Sequence, residues 1–455
     1  MGARFALEHQ IGISSLPDIR RYTGVIEVTS ALLGAIVAGL LLMAPLDLGS
    51  TADGPLQIDL VVLNMPRAAA AGAVFAVVSA GLSIALGRRT AWVVAFGSAA
   101  VLFFDRVWNL DIAATGTLTT VNYIDSIFSG ILLGALAVAI FGRRSAYPAF
   151  LVGALTGIAL GDLTALPSMH SEKYSLIEWA AGTSPPLWML FLAALALGLG
   201  IVVQRPEAAP DAASSDLPIG PILSALLLVT ATSVSTEWFV RHAGTHLQMA
   251  GAAAITIVAA SLAALLLPGR DGTLVLLAVA MTNVGSAIIA VPRPNWTAPI
   301  PVLAVVLGLY AGFRWAAPWA AVVGLAGLAV FAALTAGIAQ RDALIPVIGI
   351  TVASILLGYC FGAVTPKAAP TVVVALAALI VPPLTMALRG NSFGRVAYSP
   401  RWYRDPQGAV SAAPGWTALA ITVGCGLAIL ALRHIRRPRG VVAPLAITRK
   451  PLPRA

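Results

Sequence analysis

The sequence predicts an all-α integral membrane protein with about 14 transmembrane helices, arranged as two six-helix bundles plus an inserted helix pair. Three observations carry this. Apolar stretches of ~20 residues, the length needed to cross ~30 Å of lipid, follow one another with only short polar breaks. The hydrophobic fraction is 59% and the charged fraction only 10%, against about 25% charged in an ordinary soluble domain. Mean hydropathy is +0.90. The spans use so much of the chain that no independent soluble domain fits beside them.

The predicted spans, in order, are 23–46, 67–87, 90–110, 120–141, 146–166, 186–204, 219–241, 248–268, 272–292, 299–314, 317–338, 343–363, 369–389 and 415–433. The ninth follows the polar turn Pro268-Gly-Arg-Asp271. The tenth and eleventh are separated only around Arg314, and a tight hairpin is expected there because one helix of about 40 residues would overshoot the bilayer. The thirteenth contains Pro382-Pro383, which must kink or break it, because proline donates no backbone hydrogen bond and clashes with the preceding turn. Broken helices can line transport paths.

Charge asymmetry orients these spans. With the N-terminus inside, the inner segments hold 18 Lys and Arg residues and the outer segments 10, as the positive-inside rule requires. Four of the outer ones, Arg389, Arg395, Arg401 and Arg404, fall in one loop. The organisation expected is a cytoplasmic tail (1–22), a first bundle (23–204), a linker (205–218), the inserted pair (219–268), a second bundle (269–433) and a basic cytoplasmic tail (434–455). The expected location is a bacterial inner (plasma) membrane with both termini cytoplasmic. Only three of the 28 basic residues are Lys, and with abundant Ala and Gly this fits the coding bias of a high-GC genome such as an actinobacterial one. The net charge of +9 reads as anchoring to the cytoplasmic face rather than nucleic-acid binding.

Faint internal repetition supports the two bundles. "GLSIALGRRTAWVVAFG" (81–97) and "GLYAGFRWAAPWAAVVG" (308–324) share Gly, Leu, Trp and Gly at equal spacing, and "ILLG" recurs at 131–134 and 355–358. Repeated halves with a midplane site between them are a common transporter architecture.

The short basic turn Gly87-Arg88-Arg89, the ladder Gly153, Gly157 and Gly161 in the fifth span, and the long loop before the last span together resemble the major facilitator superfamily, specifically its fourteen-helix drug:proton antiporter branch. The chain departs from the family's motifs. No Asp precedes the arginines in "SIALGRR", no Pro follows the glycines in "GALTGIALGDL", and the fourth span opens with "VNYIDS" rather than with an arginine. The resemblance implies alternating access and export of an amphiphilic small molecule or lipid, coupled to protons.

Ionisable groups within lipid are costly and are therefore the first functional candidates. Glu27, followed by Thr29 and Ser30, lies near the inner start of the first span and could bind and release a proton; the plainer reading is a solvated headgroup-level residue. Asp105 and Arg106 lie near the outer end of the third span and Asp125 near the outer start of the fourth, so an Arg106–Asp125 pair across adjacent helices is expected, either structural or as a proton-linked gate. Asp162 follows the glycine ladder, whose small residues let another helix approach. Glu237 and Arg241 stand at i and i+4, the spacing of an ordinary helical ion pair. Asn283 and Ser286 fall at mid-membrane and either line a cavity or bond a neighbouring helix. Tryptophans 92, 108, 188, 296, 315, 319 and 416 fall near span ends, as an interfacial belt does.

Other chemistry is poorly supported. His242 and His246 are four apart but have no third ligand nearby, so no metal is expected, and no cofactor. Cys360 and Cys425 read as small buried apolar residues. No P-loop, HExxH or GxSxG occurs, so the chain is not expected to be an enzyme. Two alternatives remain. A non-transporting scaffold in envelope biogenesis would dock partners on the Arg-rich loop with Trp402 and Tyr403. A lipid-linked glycosyltransferase would use loop acids among Asp47, Asp53, Asp59, Glu172 and Glu178, beside His170. The partners expected are therefore the lipid bilayer, a small amphiphilic substrate or lipid, and protons, but no nucleic acid.

Overall fold

The computed structural model describes residues 23–43, 55–108, 115–163, 185–203, 218–242, 245–288, 299–337, 344–388 and 411–436. Among these there is no strand, and fourteen helices account for the spans. They are α1 (Thr23–Met43), α2 (Pro55–Leu86), α3 (Arg88–Trp108), α4 (Thr115–Ile140), α5 (Ala146–Leu163), α6 (Leu187–Val203) and α7 (Ile219–His242). The rest are α8 (His246–Leu266), α9 (Gly272–Ile288), α10 (Pro299–Arg314), α11 (Pro318–Thr335), α12 (Leu344–Gly362), α13 (Ala369–Ile380) and α14 (Ala413–Ile435). A four-residue helix, Leu384–Ala387, continues α13 beyond a break.

The membrane shapes each helix by side-chain size more than by polarity. On α8 the buried positions include Ala252, Ala253, Ala259, Ala260, Ala263 and Ala264. Leu247, Ile255, Val258, Leu262, Leu265 and Leu266 are exposed. Lipid tails solvate bulky aliphatic groups, whereas helices pack most closely through small ones. Exposed apolar faces of this kind on α2, α3, α6, α7, α8, α10, α12 and α14 suit a bilayer and not water. The protein is a multi-pass membrane protein.

Two sets of six helices share one pattern of neighbours. In the first, α2 runs along α4 and α1 along α5; α3 packs on α4 and α6, and α1 also touches α4 and α6. In the second, α10 runs along α12 and α9 packs on α13; α11 packs on α12 and α14, and α9 also touches α12 and α14. Substituting α9 for α1, α10 for α2 and so on converts the first description into the second. The contacts between the sets obey the same exchange, because α2 meets α13 where α5 meets α10. The inserted pair lies along one side, with α7 on α2 and α13, and α8 on α9 and α14.

Glycines make the closest of these contacts. A Cβ on Gly130 would strike the Gly72 backbone, and one on Gly134 the Ala76 carbonyl. In the second set a Cβ on Gly358 would strike the Val305 carbonyl, and one on Gly362 would lie 3.0 Å from the Gly312 Cα. The ladder Gly153, Gly157 and Gly161 lies against α1, where Gly157 and Gly39 admit backbone-to-backbone contact. The sequence match at 81 and 308 is looser than its spacing suggests: a Cβ on Gly81 would meet Ile222 of the inserted pair, and one on Gly308 the Ile355 carbonyl of α12.

The basic turns close one face of the molecule. Gly87 at φ 91° and Gly142 at φ 81° adopt the left-handed conformation that ends a helix in one residue. Arg88 Nε donates to the Ala139 carbonyl at 2.7 Å, tying the start of α3 to the end of α4, while Arg89 is exposed. Arg436, beyond α14, donates to the carbonyls of Leu265 and Leu267 at 2.6 Å each and to that of Gly269. It thereby caps the C-terminus of α8, where a cation also suits the helix dipole.

Two expectations need correction. Trp92 is no interfacial anchor: it is fully buried and packs against Gly200 of α6. Trp108, Trp188, Trp315 and Trp416 are exposed, and Trp319 lies under the Arg433 guanidinium at 5.5 Å. The second span also reaches further than its apolar run, since α2 begins at Pro55 and passes through Pro66.

Candidate functional site

A cavity lies between the two helix sets. Its walls come from Met43 of α1 and Ile158 and Ala159 of α5 on one side. Across from them stand Met281, Thr282, Gly285 and Ser286 of α9, Ile350 to Leu357 of α12, and the break after α13. About 70 Å³ is open to the centres of water-sized molecules, enough for several groups of that size. Among the described residues its side-chain polar atoms come from Thr282, Ser286 and Ser354, and no charged side chain lines it.

The break follows from the sequence. Pro382 and Pro383 cannot donate to the Ala378 and Leu379 carbonyls, so the regular helix ends at Ile380. Val381 N–H still bonds the Ala377 carbonyl at 3.2 Å, and the chain turns helical again at Leu384. Pro382 and Pro383 themselves form part of the cavity wall. α13 thus presents its C-terminal end, with carbonyls that lose their usual helical partners and the negative end of its dipole, at the cavity.

A smaller hollow shares Thr282 with the cavity and is otherwise lined by Leu228, Val229, Thr232, Thr256, Val279, Asn283, Ala378 and Val381. Asn283 therefore stands on this hollow and Ser286 on the larger cavity. The Asn283 amide donates to the Val279 carbonyl at 2.9 Å. Thr385 Oγ1 donates to the Asn283 main-chain carbonyl at 2.8 Å and lies 3.4 Å from its Oδ1.

The carboxylates stand apart from both spaces. Asp125 is buried within the first set, at 3% exposure, with Asn122 and Ser126 beside it on α4. Its Oδ2 accepts no hydrogen bond, and neither Asn122 side-chain atom nor Ser126 Oγ has a partner. Ser129 Oγ donates to the Asp125 main-chain carbonyl at 2.5 Å. Arg106 and Asp105, both half-buried on α3, act on Asp125 electrostatically, but Arg106 makes no direct hydrogen bond to its Oδ2.

Glu27 is also buried, and its Oε1 lies 3.5 Å from Arg143, in the turn before α5. Glu237 bonds Arg67 of α2 at 2.8 Å, 170 residues away in the chain. The Arg241 side chain lies outside the described residues, as do those of Asp162 and His242 and all of the Arg-rich loop. His246 is described and exposed, and no group of three metal-ligating side chains occurs among the described residues.

One buried acid was not singled out from the sequence. Asp271, in the turn before α9, accepts from Lys367 N–H at 3.1 Å and from Thr371 Oγ1 at 3.3 Å. It occupies in the second set the place Glu27 has in the first: an acid at the start of the leading helix, held by the turn that precedes the fifth. "RDG" reads as an ordinary polar turn, so nothing in its spacing marked it.

The chain matches no protein-family model and no curated protein. Among solved structures it is similar to the human organic anion transporter MFSD10 (TETRAN), with 15% identity, coverage of 91% of this chain and 99% of that one, and a TM-score of 0.48. It is also similar to the major facilitator superfamily proton:xylose symporter XylE bound to 6-bromo-6-deoxy-D-glucose, with 13% identity, coverage of 92% and 96%, and a TM-score of 0.48. The inward-open form of XylE from E. coli gives 13% identity, coverage of 91% and 95%, and a TM-score of 0.43.

Proposed function

We propose that this protein is a secondary transporter of the major facilitator type, carrying an uncharged amphiphilic small molecule or lipid by rocking one six-helix set against the other. The cavity between the two sets carries this reading. It draws its walls from both sets, and an alternating-access carrier needs its site between its two halves. Its lining also supports the substrate class. Three methionines, Met43, Met281 and Met386, supply adaptable apolar surface. Three hydroxyls and the break supply hydrogen-bonding groups, while an ionic substrate would find no counter-charge and would incur a desolvation cost of several kcal/mol.

Proton coupling is best assigned to Asp125. It is the buried carboxyl with an oxygen free of hydrogen bonds, in a cluster of unpartnered polar atoms, and a carboxyl that exchanges protons must be able to exist without a fixed cationic partner. It lies inside one set rather than on the cavity, so its influence on the substrate would pass through α4 packing. Glu27 and Glu237 each hold an arginine and are better suited to fastening helices. The family resemblance supports export, and the charge asymmetry supports an orientation with both termini in the cytoplasm.

The test uses two probes that differ by one sulfonate, N-phenylnaphthylamine and anilinonaphthalene sulfonate, with the full chain in proteoliposomes. Facilitated flux of the neutral probe, lost in Met281→Trp, is the expected result. Flux of the anion alone, or flux of the neutral probe unchanged by Met281→Trp, would remove the cavity from the mechanism. In Asp125→Asn, flux should persist but cease to follow an imposed pH gradient.

A further inference from the structure

One face of α14 is apolar along its length and basic at its end. Val423, Leu427 and Leu430 are exposed, and His434 continues the same row at helical spacing. Arg433 stands beside His434 at the end of this row. A surface groove there is lined by Leu430, Ala431, Arg433, His434 and Ile435, with about 460 Å³ open to the centres of water-sized molecules.

Arg433 is held in place but not used up. Its guanidinium lies 5.5 Å from the centre of the Trp319 ring of α11, a cation–π contact that orders the side chain. That contact engages the charge and leaves the N–H donors at the rim of the guanidinium. None of them bonds a described residue, and no described carboxylate pairs with Arg433. Arg436 is the contrast, because its donors go to the carbonyls of Leu265, Leu267 and Gly269. Asp271, the acid in the adjoining turn, is buried and accepts from Lys367 N–H and Thr371 Oγ1. On the orientation that the charge asymmetry supports, this end of α14 meets the cytoplasmic leaflet, whose surface is the negative one.

We propose that this face of α14 binds one anionic phospholipid, with its phosphate on Arg433 beside His434 and an acyl chain along Leu430, Leu427 and Val423. Guanidinium and phosphate form the stronger, charge-assisted kind of hydrogen bond. The length of the apolar row decides between a lipid and a free anion. Val423 to Arg433 covers ~15 Å of helix, half of the ~30 Å hydrocarbon core, so a chain laid on the row brings its headgroup to Arg433. A free anion would leave the row unused. A zwitterionic lipid would bring its own cation to an end that already holds Arg433 and Arg436. The lipid joins α14 to α11 within the second set. Binding at this place is independent of the carrier reading, because a lipid can occupy it whether or not a solute moves.

The test is native mass spectrometry of the full chain in detergent, titrated with dioleoyl phosphatidylglycerol or dioleoyl phosphatidylcholine. One tightly retained phosphatidylglycerol, undisturbed by excess inorganic phosphate, is expected. Arg433→Gln should weaken it by roughly fivefold or more, the worth of one basic side chain at an anionic surface. Trp319→Leu, which frees the guanidinium, should follow it, while Trp319→Phe keeps a ring beneath Arg433 and should bind as the parent does. Arg144→Gln removes an exposed arginine of the first set and should leave binding unchanged, which separates this site from general attraction to a basic protein. Equal retention of the two lipids, displacement by inorganic phosphate, full binding in Arg433→Gln, or equal weakening in Arg144→Gln and Arg433→Gln would overturn the proposal.

Discussion

The Thr385 hydroxyl donates to the Asn283 main-chain carbonyl at 2.8 Å, fastening the restart of the broken thirteenth span to the middle of α9. Both residues are fully or almost fully buried. The bond joins the two elements that flank both the cavity and the hollow, and it holds the break at a fixed distance from the face that carries Thr282 and Ser286.

Thr385→Val keeps the shape of the side chain and removes this donor. A buried hydrogen bond of this kind contributes about 1 kcal/mol. The expected loss of that size is measurable by reversible denaturation in mixed micelles, with Thr385→Ser close to the parent.

The two helix sets should respond alike to equivalent insults. Gly134→Ala and Gly358→Ala each put a methyl group against a carbonyl of the neighbouring helix, Ala76 and Val305 respectively. Backbone cannot rotate out of the way, so each should destabilise by ~1–3 kcal/mol. Gly97→Ala, whose added carbon would meet nothing within 4 Å, serves as the control. Thermal unfolding of the three variants checks this.

Arg67 and Glu237 make a short contact, but their side chains are 57% and 38% exposed. Exposed pairs contribute little once ordering of long side chains is counted. A double-mutant cycle with Arg67→Met and Glu237→Gln should therefore give a coupling of ~1 kcal/mol or less, reduced by salt. A coupling several times larger would mean that this end of α7 is held in a drier setting.

Met281→Trp should stabilise the fold or leave it unchanged, because the added ring enters open space lined by Met43, Ile158 and Met386 rather than displacing packed atoms. Loss of flux with unchanged melting is the expected combination. A large drop in melting temperature would show the cavity to be smaller than its outline.

The number and order of the spans were legible because lipid imposes a length of ~20 apolar residues on every crossing, whereas the start of α2 at Pro55, twelve residues before its apolar run, was not. Even the hairpin at Arg314 and the break at Pro382-Pro383 could be read, since each depends on local covalent chemistry. Partner choice could not. Glu237 bonds Arg67, 170 residues away in the chain, because the rotation of α7 against α2 decides which side chains of the two helices meet. Trp92 shows the reverse error: its position near a helix end suggested an interfacial role, while the absence of a side chain at Gly200 admits the indole inside. Asp271 looked like loop charge, and its role depends on a turn almost a hundred residues later.

All twelve residues of α13 are buried, although its sequence is as apolar as that of α12, which exposes Ile348 and Val352. This has a consequence for biogenesis. The segment never gains its stability from acyl chains in the finished protein, so during synthesis it must leave the insertion machinery and slide inward between neighbours already assembled. Delayed sealing of that gap makes the penultimate crossing the step at which nascent chains would be most vulnerable to membrane proteases.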